Sequence, residues 1–178
     1  DLYPALAQQD VTIPAGCGAT VGIGGQALGG GLGLLGRSRG LTSDQLVAAE
    51  VVLAEGRVVE CDEQRHEDLF WALRGAGAQG LGVVTRLTLR TVAEPAATSF
   101  HLRWPYERAS ALIVAWQEWS PTGPDELAAS MLVTVGGEAG ADPVVHLFGS
   151  MIGSETETAA LLDEFVAVAG ADAASSER

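Results

Sequence analysis

Between Gly16 and Gly40 the chain carries eleven of its 23 glycines, separated almost entirely by small or aliphatic residues. Each glycine costs about 1 kcal/mol relative to alanine inside a regular element. The stretch is therefore expected to be neither a good helix nor a continuous strand, but loops in which backbone passes close to something. Many free N–H groups with little side-chain bulk suit a large, flat or anionic ligand held at backbone distance, or else tight turns under a packed sheet.

The surrounding chain is that of an ordinary folded protein. Of 178 residues, 47% are hydrophobic and 19% charged, which disfavours disordered and fibrous classes. A formal charge of −13, from 23 acids against ten arginines, makes nucleic acid and anionic membranes poor partners. The charge is uneven: residues 91–178 hold thirteen acids and three arginines, so two regions of different character are expected. Cys17 and Cys61 are too few for a disulfide framework and fit no zinc spacing. Neither a secretory leader nor a run of about 18 apolar residues is visible, which leaves the compartment undecided with cytoplasm favoured over secretion.

Periodicity predicts a short strand at Asp10–Ile13, a hairpin with arms 46–53 and 57–61, and a helix over 67–74 ending at Gly75. It also predicts a strand over 83–91 whose two faces separate cleanly. Pro95 and its small neighbours mark the boundary between domains at 1–95 and 98–178. Beyond it come a strand from Phe100, a helix over 108–119 broken by Pro121–Pro124, strands 129–135 and 143–151, and a helix opened by the capping box Ser154–Glu157. That order describes an α+β unit with an antiparallel sheet.

Gly22-Ile-Gly-Gly-Gln-Ala27 formally satisfies G-x-G-x-x-A, but the glycines that follow leave no room for the helix a dinucleotide turn must open. A P-loop is excluded because the chain has no lysine. A Rossmann-type nicotinamide protein, with a parallel sheet, is the weakest of the readings.

Several blocks occur together in a recognisable order: Pro14 to Gly33, Gly40-Leu-Thr-Ser-Asp-Gln-Leu46, Glu50 to Val59, Asp68-Leu-Phe-Trp-Ala-Leu-Arg-Gly75 and Gly82-Val-Val-Thr85. With them the chain resembles the FAD-linked oxidases that have a PCMH-type flavin domain, on the berberine-bridge-enzyme-like branch. The resemblance implies the second part of the flavin domain, followed by the beginning of a substrate domain whose antiparallel sheet covers the flavin ring. It further implies that the first flavin part, with its linking histidine, and a C-terminal segment with a tyrosine base lie outside this chain.

Carried over by position, Thr20, Val21, Gly22, Gly24 and Gly25 would line FAD through their backbone, with Gly29, Gly30, Gly31 and Gly33 continuing the wall. Gln26 would bond the flavin's polar edge or cap a turn, and Val83 would touch the cofactor by its backbone or be an ordinary core residue. Many members bind flavin through a cysteine three positions before the Val-Gly pair. That position is Gly18 here, so Cys17, one residue early, is a weak candidate for the link and is expected instead to be a buried structural thiol.

His66, His101 and His146 are expected to be structural or exposed, the latter two facing a substrate cleft if the substrate-domain resemblance holds. Arg103-Trp104, Trp116 and Trp119 read as core and edge packing. The implied activity is a bacterial-type FAD-dependent oxidoreductase, taking a hydride from a C–H beside a hydroxyl or amine of a small molecule and passing electrons to dioxygen or another acceptor. A non-catalytic flavin-binding or structural remnant is the alternative.

Overall fold

The computed structural model describes residues 2–18, 20–77, 80–136, 141–170 and 175–177. The chain divides into two compact units, Asp1–Glu94 and Pro95–Arg178.

The first unit is built on a three-stranded antiparallel sheet. Its strands β2 (Leu46–Val52), β3 (Val58–Asp62) and β4 (Val83–Leu89) lie in the order β3-β2-β4. The remaining elements are α1 (Leu2–Ala7), β1 (Val11–Thr12), α2 (Ile23–Leu28), α3 (Gly36–Arg39), α4 (Glu67–Leu73) and β5 (Val92–Ala93). β1 pairs with β5 as a separate ribbon. One face of the sheet packs with α4 into a core of Leu46, Ala49, Val51, Val59, Cys61, Phe70 and Leu73. The hairpin and the α4 helix form as their periodicity predicts.

Two local expectations are corrected. Helices do form within the glycine run: α2 crosses Gly24 and Gly25, and α3 starts at Gly36. Ala27 is fully buried and Leu28 packs against the core, so tertiary burial offsets the poor propensity over one and a half turns. The faces of β4 do not stay separate either. Its ladder pairs Glu50 with Arg86 but Val51 with Val84, leaving Thr85 in a bulge. The bulge reverses the pleat, so Val84, Leu87 and Leu89 pack inward while Val83 and Thr85 are exposed.

The second unit has β6 (Ala97–Pro105), α5 (Ala109–Thr122), β7 (Leu127–Thr134), β8 (Val144–Ile152), α6 (Glu155–Ala169) and β9 (Ser175–Glu177). The sheet order is β7-β8-β6-β9 and every pair is antiparallel. Phe100, Leu102, Trp104, Val145 and Leu147 point to one face, where they meet Leu112 and Ala115 of α5 and Leu162 and Phe165 of α6. Phe165 holds two indoles, Trp104 edge-on at 5.9 Å and Trp119 tilted at 5.0 Å.

Helix α6 begins at the predicted capping box, with Ser154 Oγ accepting from Glu157 N and the Glu157 carboxylate taking Ser154 N at 2.8 Å. Helix α5 is not broken at Pro121 but runs through it to Thr122, whose hydroxyl donates to the carbonyls of Glu118 and Trp119. The proline falls in the last turn, where it removes only one ladder bond. The chain's last strand, β9, has no hydrophobic periodicity to announce it.

Candidate flavin site

The glycine run contributes residues 15–18, 20–23 and Gln26 to a cleft of about 530 Å³. Its wall is formed by Leu2 and Tyr3 of α1, by Ala15, Gly16, Cys17 and Gly18, and by Thr20, Val21, Gly22, Ile23 and Gln26 at the start of α2. Burial against this wall holds the Tyr3 phenol above its usual pKa. Val21 is 58% exposed, a large apolar surface facing solvent beside the cleft.

The glycines fall into two physical classes. At Gly22, Gly24 and Gly25 a Cβ would meet nothing within 4 Å, and none of the three has a positive φ. Among the described residues nothing requires glycine at these positions, and two of them sit at a cost inside α2. Gly31 and Gly33 are the opposite case. A Cβ on Gly31 would lie 2.4 Å from Thr42 Oγ1, and one on Gly33 only 1.7 Å from the Ala15 carbonyl oxygen. Gly30 and Gly31 adopt φ of +104° and +78°, and their carbonyls accept from Ser43 N at 2.8 Å and Thr42 N at 2.9 Å. Their smallness is explained by two stretches of this chain passing in contact. Gly29 caps α2, donating to the carbonyls of Ala27 and Gly25.

Gln26 bridges these parts. Its Nε2 donates to Thr42 Oγ1 at 3.4 Å, and its amide lies where a Cβ on Gly16 would be. Of the sequence candidates, then, the fold brings Cys17, Thr20, Val21, Gly22 and Gln26 to one cleft. Gly24, Gly25, Gly29, Gly30, Gly31, Gly33 and Val83 are not in its lining. Val83 is 66% exposed on β4, which corrects its reading as an ordinary core residue.

Cys17 is exposed and part of the cleft wall, so it is not the buried structural thiol expected of it. Cys61 fills that role: it is buried, donates to the Ala49 carbonyl at 3.5 Å, and desolvation pushes its thiol pKa up. Tyr3 and Leu2 were missed because a six-residue helix with no buried residue has no periodic signature.

His66 sits exposed at the N-cap of α4 with φ of +50°. His101 and His146, 45 residues apart, are brought together on neighbouring strands. Among the described residues no group of three or more His, Cys, Asp or Glu side chains could hold a metal ion, and no helix is long and apolar enough to cross a membrane.

The sheets are antiparallel, α2 is only six residues long and, among the described residues, no strand leads into it, so the G-x-G-x-x-A match is not a Rossmann turn. A helix does start after Gly22, contrary to expectation, so it is the topology that removes that reading.

Residues 1–62 match the family described as FAD binding domain. An uncharacterized FAD-linked oxidoreductase of Bacillus subtilis, YvdP, is 38% identical over 162 residues, covering 90% of this chain and 35% of that protein. The berberine bridge enzyme-like protein 1 of Physcomitrella patens superposes with a TM-score of 0.88 at 36% identity, covering 99% of this chain and 38% of the other. The chain belongs to the FAD-linked, berberine-bridge-enzyme-like oxidoreductase family. It is also 40% identical over 120 residues to the chitooligosaccharide oxidase of Gibberella zeae, covering 66% of this chain and 24% of that enzyme. The chain thus spans about a third of the length of the relatives it matches.

The family's cofactor is FAD, and the residues present fit it. Gly22, Gly24 and Gly25 leave open the space their side chains would fill, beside a cleft lined by small residues and the exposed Cys17.

Proposed function

We propose that this chain supplies the flavin-holding wall and part of the substrate-facing sheet of an FAD-dependent oxidoreductase. Bound FAD would supply the chemistry, accepting a hydride from a C–H bond next to a hydroxyl or amine and passing electrons to dioxygen or another acceptor. The observation that supports this most is the pair of glycines inside α2 with nothing of the chain's own near their missing side chains.

The protein's share is positioning and electrostatics. Thr20, Val21 and Gly22 present backbone at the cleft, and Gly24 and Gly25 let α2 be approached by a flat ring system at van der Waals distance. Gln26, held by Thr42, keeps the loop at Gly16 in register with the turn at Gly31. Gly29, Gly30, Gly31 and Gly33 act one step removed, packing the loops that shape the wall. Val83 presents an exposed side chain at the start of β4. Cys17, exposed on the cleft wall, is the thiol that a ring bound there would meet in this reading.

Domain roles follow the two units: residues 1–95 as the later part of the flavin domain and 98–178 as the start of the substrate domain. The substrate is a small molecule, and α5 and α6 already cover one face of the second unit's sheet, which leaves the opposite face to meet it.

The test is anaerobic mixing of the full-length, FAD-loaded protein with a panel of alcohols, sugars and amines. Bleaching of the flavin's visible absorbance by at least one class, reversed on admitting air, is expected. Flavin that stays oxidised with every compound would refute the hydride-transfer reading.

A further inference from the structure

The uncovered face of the second unit's sheet carries a hydrogen-bonded chain of side chains. Arg103 and His101 alternate with the core residues of β6, His146 and Phe148 with those of β8, and Thr134 ends β7. Arg103 Nη2 lies 3.4 Å from His101 Nδ1, His101 Nε2 lies 2.9 Å from His146 Nδ1, and His146 Nε2 lies 2.8 Å from Thr134 Oγ1.

The donor directions follow from chemistry. A guanidinium can only donate, so His101 Nδ1 accepts and His101 Nε2 carries the proton. That proton goes to His146 Nδ1, which leaves the His146 proton on Nε2, donated to the threonine oxygen. Both imidazoles are therefore assigned as neutral, and both spend all their ring nitrogens inside the chain. Burial, first, and the Arg103 guanidinium also lower the His146 pKa, which favours its neutral form. What the chain of groups leaves to an incoming ligand is donors: the remaining guanidinium N–H groups and the threonine O–H.

Arg103 is unusual in its setting. The unit holds twelve acids and three arginines. Arg108 is spent on the carbonyls of Ala169 and Gly170 at the end of α6, and Arg178 lies outside the described residues. Among the residues whose side chains are described, which do not include those of β9, Arg103 makes no ion pair, where the other arginine bridges involve Arg57, Arg65, Arg74 and Arg86. Glu177 occupies the register position opposite His101 on β9. Next to the arginine, the two imidazoles stack with centroids 5.1 Å apart, and Phe148, 39% exposed, stands edge-on to His101 at 6.2 Å.

We propose that this face is a carboxylate-recognition site, with Arg103 receiving the anion and the His101, His146 and Phe148 rings receiving a flat apolar body. The relay to Thr134 positions Arg103 from behind, and the substrate class it selects is an aromatic or similarly flat acid. The inference rests on the reading that this sheet face meets the substrate.

Benzoate and benzamide, identical but for charge, separate the terms. Calorimetric titration of the full-length FAD-loaded protein should show benzoate binding at least tenfold tighter than benzamide. Arg103→Gln should weaken benzoate about tenfold and leave benzamide unchanged, while Arg103→Lys should recover part of the loss. His146→Phe, which cuts the relay, should weaken benzoate less than Arg103→Gln does. Equal affinity for the two probes, no benzoate binding at millimolar concentration, or benzoate binding indifferent to Arg103→Gln would overturn the proposal. The flavin spectrum during the same titration tests the underlying reading separately. Benzoate binding that depends on Arg103 but leaves the flavin bands unmoved would keep the site and remove the sheet face from the flavin.

Discussion

Adding one methyl group at Gly24 should push folding and cofactor binding in opposite directions. Gly24 lies inside α2 with a Cβ position that is empty to 4 Å, so alanine relieves the glycine helix penalty without a clash. The gain is about 0.5–1 kcal/mol. For a unit of this size that raises the apoprotein melting temperature by a few degrees, at about 4–8 °C per kcal/mol. If the same space belongs to FAD, the methyl group overpacks the holoprotein at a cost of about 1–3 kcal/mol, roughly fivefold to 150-fold in Kd. Gly33→Ala is the control with the opposite sign in folding, because its Cβ would stand 1.7 Å from the Ala15 carbonyl oxygen and backbone must move. It should lower the apoprotein melting temperature. Differential scanning calorimetry of apoprotein and fluorescence titration with FAD measure both quantities. A Gly24→Ala protein that is stabilised yet binds FAD as tightly as wild type would refute the assignment of that space to the cofactor.

Other consequences are as direct. Ser154→Ala removes the N-cap of α6 and should cost about 1 kcal/mol, read as a lower denaturation midpoint with unchanged m-value. The tryptic peptide containing Cys17 from the holoprotein decides between the two readings of that thiol: a peptide carrying the mass of the flavin makes Cys17 a link, and an unmodified peptide alone retires it. The His146 pKa is lowered in the fold from its ordinary 6.5, so the unfolded chain takes the proton first. Stability should therefore be full above about pH 6.5 and decline as pH falls toward the lowered value, and His146→Gln should flatten that decline in thermal melts across the range.

The elements that could be read from residues are those whose own periodicity matches their burial. The β2–β3 hairpin, α4 and α6 each put their apolar residues where the core is, and the Ser154–Glu157 box announces the helix it starts. What misled was physics that lies outside a local window. Propensity argues against α2, whereas the burial of Ala27 and Leu28 decides for it. Alternation on β4 presumes an unbroken ladder, and the bulge at Thr85 interrupts it. Exposure of Cys17 depends on a loop fold that one cysteine cannot encode. The His101–His146 contact depends on register, since pairing Arg103 with His146 sets both imidazoles on one face, and strand positions without register do not reveal it. The glycine run pointed to backbone approach, but only the space around each position separates Gly22, Gly24 and Gly25 from Gly31 and Gly33.

The measurement that tests the central claim most directly is the near-ultraviolet and visible absorbance spectrum of the purified full-length protein, before and after incubation with FAD and desalting. Flavin bands that stay with the protein, and that weaken when Gly24 and Gly25 are both replaced by alanine, are predicted. A protein that is folded by circular dichroism yet holds no flavin even after incubation would contradict the claim that this glycine cleft is a flavin wall.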